Sequence, residues 1–425
     1  MAEIAVIGAG YVGLTTGACL AHLGHEVTVA DIEIQRVEAL QRGEIPFVEP
    51  KLSEIVNAGI KSNKLKFVVG AKNACKKAEF HFLCLPTPPN GDGSTDLSYF
   101  QAGVEEISDI LPPNSILINK STVPVGTAAE IDNQIERTDL TVVSNPEFLA
   151  EGNAVNDFLH PSRIVIGAAI PEAATHVAEL YSQINAPVLA TSWESAELIK
   201  LTANAFLAMK LTFVNEIATL CEKTGADIQD VVMGIGYDPR IGTSYLNPGP
   251  GWGGSCFPKD SSSLAHVARK VGFDFSLLEH TIELNKQHVE RTAVKIQATL
   301  PKANSIRKIA AWGLTFKAGT DDLRSSPAIA VLRHLINDQN TIYAYDPTIT
   351  ENIKQIPEVL IETDPYVCAE NADVIVILTE WENFKNLDMS RVMKVMKSPN
   401  LVDTRNLFKR KEMEKLGFIY YGMGV

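Results

Sequence analysis

Three features are absent from this sequence, and each absence excludes a class of protein. Spread positive charge is missing: the formal net charge is −13, whereas binders of nucleic acid or anionic membranes rely on such charge. No uninterrupted apolar run approaches the roughly 20 residues that a membrane-spanning helix requires. The N-terminal stretch "MAEIAVIGAG" has no basic segment before its apolar residues, so it does not resemble a signal peptide. We expect a cytoplasmic protein that binds neither nucleic acid nor membrane.

Cysteine motifs are absent as well. The six cysteines are scattered, without a CxxC pair or metal-ligand spacing, which predicts reduced thiols and no metal site. Most of them are expected to be small core residues, as Cys84 is in the apolar strand "EFHFLCLP". Cys256 differs, because it follows a run of glycines in "GPGWGGSCFPKD".

The order of strand-like and helix-like segments predicts the fold. At 425 residues the chain is too long for one ordinary core. Strands alternate with helices in the first part, which predicts a doubly wound parallel sheet. Residues 192–235 have helical periodicity without proline, and the alternation returns from about residue 305. We predict an α/β protein with two Rossmann-like doubly wound domains, residues 1–190 and 301–425, joined by a central all-α domain, residues 191–300, built on a long helix.

The motif "GAGYVG" follows a strand and opens a helix. Gly8 allows a tight turn, Gly10 lets the backbone approach a pyrophosphate, and Gly13 lets helix and strand pack closely. Asp31 ends the second strand, where a ribose-binding acid belongs, and its charge favours NAD over NADP. Arg36 keeps NADP open, and a tight structural turn is the alternative reading of the glycines. The motif predicts NAD as the cofactor.

The loop around Cys256 predicts a nucleophile. A helix begins after it, and a helix start stabilises a thiolate. Lys259 adds a nearby positive charge, and the glycines leave the backbone open to a ligand. The alternative is a buried structural cysteine in a flexible loop.

A hydride acceptor and a cysteine nucleophile together indicate oxidation of an alcohol to an acid. The alcohol becomes an aldehyde, the thiol adds, and a second hydride transfer leaves a thioester that water cleaves. This chemistry needs an acid or base, oxyanion donors and a carboxylate that directs water. Each candidate for these roles also has an ordinary structural explanation. For the charged residues it is solvated surface charge, and for Thr122 in "NKSTVPVGT" it is a helix N-cap. Candidates are Thr122 and three pairs spaced four residues apart: Lys200 with Asn204, Glu147 with Glu151, and Cys256 with Asp260.

Six stretches together resemble the UDP-glucose 6-dehydrogenase family, within the wider UDP-glucose/GDP-mannose dehydrogenase superfamily. They are "GAGYVG", "STVPVGT", "SNPEFLAEG", "ELIKLTANAFLA", "YLNPGPGWGGSCFPKD" and "GLTFKAGTDDLRSSP". They span most of the chain, and the cysteine loop is highly specific. The resemblance implies a nucleotide-sugar 6-dehydrogenase that uses two NAD per turnover and yields a uronate.

The resemblance also implies roles for individual residues. Cys256 would form the thiohemiacetal and thioester, and Lys200 and Asn204 would contact the substrate oxygen. Water would be handled by Thr122, Glu147 and Asp260. The predicted cofactor contacts are Gly8, Gly10, Tyr11, Val12, Gly13, Asp31, Arg36, Thr87, Thr122, Glu151, Lys259 and Arg324. The predicted substrate contacts are Phe148, Leu149, Ala150, Glu151, Lys200, Asn204, Arg240, Tyr245, Leu246, Asn247, Pro248, Gly249, Gly253, Phe316, Lys317 and Arg405.

A homodimer is expected on two grounds. A long helix with an apolar face often packs against a second subunit. The resemblance further implies that Arg240, in "YDPRIG", reaches the sugar site of the other subunit. We therefore expect sites near a subunit interface that take UDP-glucose and NAD.

Other functions stay open at this stage. A related 6-dehydrogenase would act on UDP-N-acetyl-hexosamine or GDP-mannose. A two-electron dehydrogenase of the 6-phosphogluconate type also pairs Lys with Asn on a helix, but it would not need Cys256. A nucleotide-sugar-binding regulator without turnover has no use for a reactive thiol, so the intact set of Cys, Lys, Asn and Asp argues against it.

Overall fold

The computed structural model describes residues 1–302 and 306–425. These residues form two compact units. The first comprises Met1–Ala203 with Ser262–Asp274, and the second comprises Asn204–Ser261 with Phe275–Val425. Each unit contains one sheet.

The first unit contains an eight-stranded sheet. Its strands are Glu3–Ile7 (β1), Glu26–Asp31 (β2), Leu65–Val69 (β3), Phe80–Leu83 (β4), Ile116–Asn119 (β5), Thr141–Ser144 (β6), Ile164–Ala168 (β7) and Val188–Thr191 (β8). Their order is β3-β2-β1-β4-β5-β6-β7-β8. The central strands β4 and β5 are buried along their whole length, as expected where helices cover both faces of a sheet.

Helices cover the two faces of this sheet. They are Tyr11–His22 (α1), Ile34–Gln41 (α2), Leu52–Lys61 (α3), Ala71–Cys75 (α4), Ser98–Ser108 (α5), Thr127–Gln134 (α6), Ala154–Leu159 (α7) and Pro171–Glu179 (α8). The alternation of side chains along β1 supplies both cores. Ile4 and Val6 pack in the cluster that contains α1 and α3 residues, whereas Ala5 and Ile7 pack in the cluster that contains α5 residues.

One pairing in this sheet differs from the parallel arrangement that the strand–helix alternation predicts. Strand β7 runs antiparallel to β6, with Val143 opposite Ala168 and Ser144 opposite Gly167. The only helix between these strands is the six-residue α7, which rises about 9 Å. This is shorter than either strand, so the chain does not return to the opposite edge before β7 begins.

The predicted long helix is present as Trp193–Thr224 (α9), with 32 residues. It ends before Gly225, whose φ of +79° is a left-handed value that glycine adopts without a steric cost. Three further helices follow: Ile228–Gly236 (α10), Phe257–Lys270 (α11) and Ser276–Thr299 (α12). The division between the units falls within α9, after Ala203, and within α11, after Ser261.

The second unit repeats the topology of the first. Its strands are Arg307–Trp312 (β9), Asn340–Tyr345 (β10), Val359–Ile361 (β11), Val374–Ile377 (β12), Asn400–Asp403 (β13) and Ile419–Gly422 (β14). They are all parallel, in the order β11-β10-β9-β12-β13-β14. This matches β3-β2-β1-β4-β5-β6, so the prediction of two Rossmann-like sheets is confirmed.

The remaining helices belong to the second unit. They are Pro327–Leu335 (α13), Pro365–Ala369 (α14), Glu382–Lys385 (α15), Met389–Val395 (α16) and Arg410–Lys415 (α17). The predicted three-domain boundaries at residues 190 and 300 stay a prediction. Of the helices described, none combines the length and apolar character needed to cross a membrane.

Candidate functional site

The glycine motif lies between β1 and α1, and packing explains two of its glycines. Gly8 has a φ of +100°, and a Cβ there would come within 2.4 Å of the Cys84 carbonyl oxygen. A Cβ on Gly13 would come within 1.9 Å of the Gly8 carbonyl oxygen. Gly10 has open space on its Cβ side, with nothing within 4 Å. The backbone before α1 is therefore accessible to a group such as a pyrophosphate.

Asp31 holds the glycine loop from the end of β2. Its Oδ2 accepts the Ala9 N–H at 2.8 Å, and its Oδ1 accepts the Glu33 N–H at 3.0 Å. Arg36 donates to the same carboxylate at 3.2 Å and pairs with Glu33 at 2.7 Å. Asp31 is thus fixed at the end of β2, and the guanidinium beside it is engaged with two carboxylates.

Two of the predicted cofactor residues meet at the carboxyl edge of the first sheet. Thr87 follows β4 and Thr122 follows β5, which is the neighbouring strand. The Thr87 hydroxyl donates to the Thr122 carbonyl at 2.9 Å. Doubly wound sheets bind their ligands at this edge.

Glu147 and Lys200 form a buried ion pair. The Lys200 Nζ lies 2.8 Å from Glu147 Oε1, and the two side chains are only 3% and 6% exposed. Burial raises the pKa of Glu147, but the charge and hydrogen bond of Lys200 outweigh it, and the pKa lies below its ordinary value. Glu147 is therefore an anion at neutral pH.

The segment after Glu147 contributes the other predicted substrate contacts of the first unit. The Phe148 ring lies 5.5 Å from the Lys200 Nζ and 3.6 Å from the guanidinium carbon of Arg163. The Ala150 N–H donates to Asp157 at 2.9 Å. Leu149 is half-buried, and Glu151 is buried at 8% exposure.

Lys120 is a buried charge that the sequence analysis did not identify. Its Nζ donates to Asn145 at 3.0 Å and to the Tyr181 hydroxyl at 3.4 Å. Burial lowers the pKa of Lys120 to about 8, although Cys84 and Glu147 oppose this. Its place in "NKSTVPVGT", two residues before Thr122, was the available signal.

Glu197 is a second buried charge that was missed. Its carboxylate accepts the Gly126 N–H at 2.7 Å, the Ala128 N–H at 2.9 Å and the Ser144 hydroxyl at 3.3 Å. Burial raises the pKa of Glu197 to about 7, and the three hydrogen bonds oppose this rise. Its position three residues before Lys200 on α9 was the signal, since residues so spaced share a helix face.

The second unit holds Cys256 at the start of α11. The Asp260 N–H donates to the Cys256 carbonyl at 2.8 Å, which is the first helical hydrogen bond. The Cys256 Sγ lies 3.4 Å from the Ser255 hydroxyl. Cys256 is half-exposed, whereas the other five cysteines are buried. Of the six thiols it is therefore the one open to a ligand.

Asp260 is a buried carboxylate with two partners. Its side chain accepts from the Asn204 amide at 2.6 Å and pairs with Lys259 at 2.5 Å. Asn204 lies one helical turn after Lys200 on α9. The hydrogen bond between Asn204 and Asp260 thus connects two of the three predicted pairs, Lys200 with Asn204 and Cys256 with Asp260.

The glycine-rich loop before Cys256 is held by α9 and α12. The Gly249 N–H donates to Asn215 at 2.9 Å, and the Gly249 carbonyl is bonded to His288 at 2.8 Å. The Trp252 indole donates to Thr212 at 2.8 Å. The loop is therefore fixed by buried side chains, and it is not the flexible segment of the alternative interpretation.

The second unit also brings together distant residues predicted to bind substrate. Arg405 donates to the Phe316 carbonyl at 3.3 Å, and a Cβ on Gly249 would come within 2.8 Å of its Nη1. A Cβ on Gly253 would come within 1.9 Å of the Ser325 carbonyl oxygen. Gly249, Phe316 and Arg405 thus lie close together, and Gly253 packs against the segment that contains Ser325.

The remaining predicted contacts have varied surroundings. Leu246 and Pro248 are buried, Lys317 is half-buried, and Tyr245 and Asn247 are exposed. Arg240 and Arg324 are exposed and pair with Asp238 at 2.5 Å and Asp322 at 2.8 Å respectively. Within residues 1–302 and 306–425, no group of three or more His, Cys, Asp or Glu side chains is placed to hold a metal ion.

Three sequence models of one family match the chain in succession. The family is the UDP-glucose/GDP-mannose dehydrogenase family. Its NAD binding domain matches residues 2–185, its central domain residues 194–287, and its UDP binding domain residues 310–410.

Individual relatives cover the whole chain. A UDP-glucose 6-dehydrogenase of Rhizobium meliloti is 44% identical, with 99% of each chain covered. The enzyme of that name from Pseudomonas aeruginosa is 39% identical, covering 99% of this chain and 97% of that protein. Among solved structures, a UDP-glucose dehydrogenase from Pyrobaculum islandicum matches with a TM-score of 0.89 at 32% identity, covering 100% and 98% of the two chains. A UDP-D-ManNAc dehydrogenase from Pyrococcus horikoshii matches with a TM-score of 0.88 at 28% identity, covering 99% of each chain.

The buried pair predicts a large effect on stability. Lys200→Met would leave Glu147 buried without its cation, so the free energy of unfolding should fall by about 3–5 kcal/mol at pH 7. Urea denaturation measures this. Lys286→Met is the control, because Lys286 pairs with Glu283 on the surface with both side chains more than half exposed, and it should change stability by less than about 1 kcal/mol.

The same pair predicts the pH dependence of this effect. Because the pKa of Glu147 is lowered in the folded state, its stabilisation is present above the unfolded pKa of about 4.3. It is lost as pH falls through the lower folded pKa. The difference between Lys200→Met and wild type should therefore shrink on acidification, and a difference independent of pH would contradict this account.

Proposed function

The chain belongs to the UDP-glucose/GDP-mannose dehydrogenase family, and from this premise we propose that it catalyses the NAD-dependent four-electron oxidation of UDP-glucose to UDP-glucuronate. It is an oxidoreductase with NAD as its cofactor. One observation carries the proposed mechanism: a half-exposed Cys256 at the start of α11, one turn before the buried Asp260 that binds Asn204. A thiol so placed suits covalent catalysis.

The residues of the first unit fit a dinucleotide. NAD, when bound, supplies the acceptor for hydride. The open backbone at Gly10 suits the pyrophosphate, and Asp31 suits a ribose hydroxyl. Arg36 is engaged with two carboxylates, which supports NAD over NADP. We propose further cofactor contacts from Tyr11, Val12, Thr87, Thr122, Glu151, Lys259 and Arg324.

The first oxidation requires a stabilised alkoxide. We propose that Lys200 and Asn204 contact the oxygen on C6 of the sugar, with the Lys200 ammonium stabilising its negative charge. The proton of the alcohol passes to a water held by a carboxylate. Loss of hydride from C6 then gives the aldehyde.

The second oxidation passes through sulfur. The Cys256 Sγ forms a bond to C6 of the aldehyde, and the carbonyl oxygen takes up a proton, which gives a thiohemiacetal. Loss of that proton and of the second hydride from C6 leaves a thioester. Lys200 and Asn204 serve again, because the same oxygen carries the developing charge.

Hydrolysis ends the reaction. Water adds to the thioester carbon, the C–S bond breaks, and the sulfur regains its proton while the sugar leaves as a carboxylate. We assign the direction of this water to Glu147, because its lowered pKa keeps it ionised at neutral pH. Asp260 and Thr122 are the alternatives for this role.

The identity of the sugar is supported by similarity. The relatives named above that are 39% and 44% identical are UDP-glucose 6-dehydrogenases. The main alternative substrate is another nucleotide sugar, because a UDP-D-ManNAc dehydrogenase matches the fold nearly as well as a UDP-glucose dehydrogenase does. A two-electron oxidation is a further alternative, but it gives no role to Cys256.

We propose that the protein acts as a homodimer with sites near the subunit interface. Phe206, Phe213 and Leu220 recur every seven residues along α9, and each is more than half exposed in the isolated chain. This spacing forms one apolar stripe on a helix, suited to packing against a second copy. The exposed Arg240 would reach the sugar site of the partner subunit.

A cytoplasmic location is also proposed. All six cysteines are free thiols, which suits a reducing compartment. We propose neither nucleic acid nor membrane as a partner, because the formal net charge is −13.

The number of NADH molecules formed per UDP-glucose consumed tests the proposed function. UDP-glucose with excess NAD should yield about two NADH per sugar, since alcohol and thiohemiacetal are both oxidised. Absorbance at the NADH band, with product identified by chromatography, measures this. One NADH per sugar with free aldehyde would support the two-electron alternative. A higher kcat/KM for UDP-N-acetyl-hexosamine or GDP-mannose than for UDP-glucose would support the alternative substrate.

Glu147→Gln tests the assignment of the hydrolytic step. Both hydride transfers should survive, so the variant should release a burst of about two NADH per site and then stall with the uronyl group on the protein. Intact mass spectrometry after quenching should show about one adduct per chain, mapped to Cys256. Cys256→Ala, the control, should show none. Normal steady turnover would move the water-directing role to Asp260 or Thr122.

Mixing two inactive variants tests the shared site. Arg240→Ala and Cys256→Ala chains, combined equally, should form heterodimers in half of the dimers, each with one intact site. The mixture should therefore recover about a quarter of wild-type activity. Activity that stays at the level of the parents, with heterodimers confirmed, would indicate sites built from one chain.

A further inference from the structure

Glu49 is a buried carboxylate in the segment between α2 and α3, with 8% of its surface exposed. Its Oε2 accepts from the Tyr11 hydroxyl and, at 2.7 Å, from the Gly152 N–H. Its Oε1 accepts the Ala154 N–H at 2.8 Å. One side chain therefore joins its own segment to two others that are far apart in sequence, the start of α1 and residues 152–154.

These two segments adjoin different parts of the candidate site. Tyr11 is the first residue of α1, inside the glycine motif. Gly152 directly follows residues 148–151, the predicted substrate loop, and Ala154 begins α7. The Tyr11 hydroxyl also accepts from the Gly152 N–H at 2.9 Å. Glu49 and Tyr11 together thus hold the end of the substrate loop against the start of the cofactor helix.

The chemistry of the contact requires an anion. Two amides and a phenol point their hydrogens at one group, so both of its oxygens must accept. Burial, together with the hydrogen bond and charge of Glu49, raises the pKa of Tyr11, so the phenol stays protonated and donates. A glutamine has only one acceptor oxygen, and its NH₂ group would face a donor. Glu49→Gln therefore changes the hydrogen bonding while keeping nearly the same shape.

The loop is anchored independently at other points. Glu147, at its start, pairs with Lys200, and the Ala150 N–H is bonded to Asp157. Tyr11 is also packed against Phe47, with ring centroids 4.8 Å apart. Loss of the Glu49 contacts should therefore loosen the end of the loop without detaching its start or unfolding the first unit.

We propose that Glu49 is a positioning residue that sets the substrate loop, residues 148–151, against the glycine motif, so that sugar nucleotide and dinucleotide are bound in register. The link to substrate rests on the proposed function; the link between the segments rests on the hydrogen bonds alone. Glu49 acts through Tyr11, Gly152 and Ala154 and touches no reacting atom in this scheme.

Hydrogen exchange tests the positioning without any assumption about the reaction. In Glu49→Gln, the amides of Gly152 and Ala154 should exchange at least about 10-fold faster than in wild type, since they lose charge-assisted hydrogen bonds. Peptides from β9 to β14 should be unchanged. Glu44→Gln is the matched control, because Glu44 is exposed and pairs with Arg42 in the same segment. Unchanged exchange at both amides in Glu49→Gln would overturn the proposal.

Tyr11→Phe is a second variant that tests the proposal even if Glu49→Gln fails to fold properly. It removes one hydroxyl, and it should speed exchange at Gly152 more than at Ala154, because of these two amides only Gly152 donates to the hydroxyl. If all amides of Glu49→Gln exchange faster than those of wild type, the variant is destabilised as a whole, and Tyr11→Phe then tests the proposal. Equal protection of Gly152 in Tyr11→Phe and wild type would then overturn the proposal.

Kinetics tests the consequence for binding. Glu49→Gln should raise the KM for UDP-glucose about 10-fold and change kcat by less than about 2-fold, because the chemistry is untouched while the loop is misplaced. A residue with a merely structural role would lower the active fraction and leave KM unchanged, which would count against positioning. If wild type fails to oxidise UDP-glucose, the proposed function fails, and the exchange rates still decide the role of Glu49.

Discussion

One face of helix α9 has to bury charge, and the positions of several residues predicted from the sequence depend on how it does so. Glu197, Lys200 and Asn204 are spaced three and four residues apart, which places them on one side of the helix. Each is buried, and burying a polar group without a partner is costly. Glu197 binds the start of α6 and Ser144, Lys200 pairs with Glu147, and Asn204 binds Asp260. In the first unit the helix therefore fixes the start of α6 and the carboxylate that follows β6, and in the second unit it fixes Asp260 at the start of α11.

The partners of these groups decide how each one ionises. Glu147 and Glu197 are both buried, yet their pKa values move in opposite directions. Glu147 has the Lys200 ammonium at 2.8 Å, so its pKa falls. Glu197 accepts from two amides and a hydroxyl, and burial prevails, so its pKa rises to about 7. Opposite shifts within one group of carboxylates are typical of functional sites. They separate a carboxylate that stays ionised, Glu147, from one whose pKa lies close to neutral pH, Glu197.

Local patterns in the sequence predicted those features that are themselves local. Alternating strands and helices predicted both sheets, helical periodicity predicted α9, and the surroundings of Cys256 singled out the one partly exposed thiol among six cysteines. The antiparallel β7 was missed, because strand direction depends on the path of the chain between strands. The partners of Glu197 lie 53 to 71 residues away, and those of Glu49 lie 38 to 105 residues away. No periodicity reports a contact over such distances, so these buried carboxylates became visible only in the fold.

Close packing explains why the loop before Cys256 is rich in glycine. Its glycines lie against fixed groups from distant segments: Gly249 against Arg405, Gly253 against the Ser325 carbonyl and Gly254 against the Phe316 ring. A Cβ at any of these positions would come within 2.8 Å of another heavy atom. Asn215 and His288 then fix the Gly249 backbone from two helices. These positions are glycine because the backbone there lies directly on the rest of the unit, and this close packing makes the loop rigid. A rigid loop holds the Cys256 sulfur at one position, and covalent catalysis requires that the reacting atoms be placed accurately.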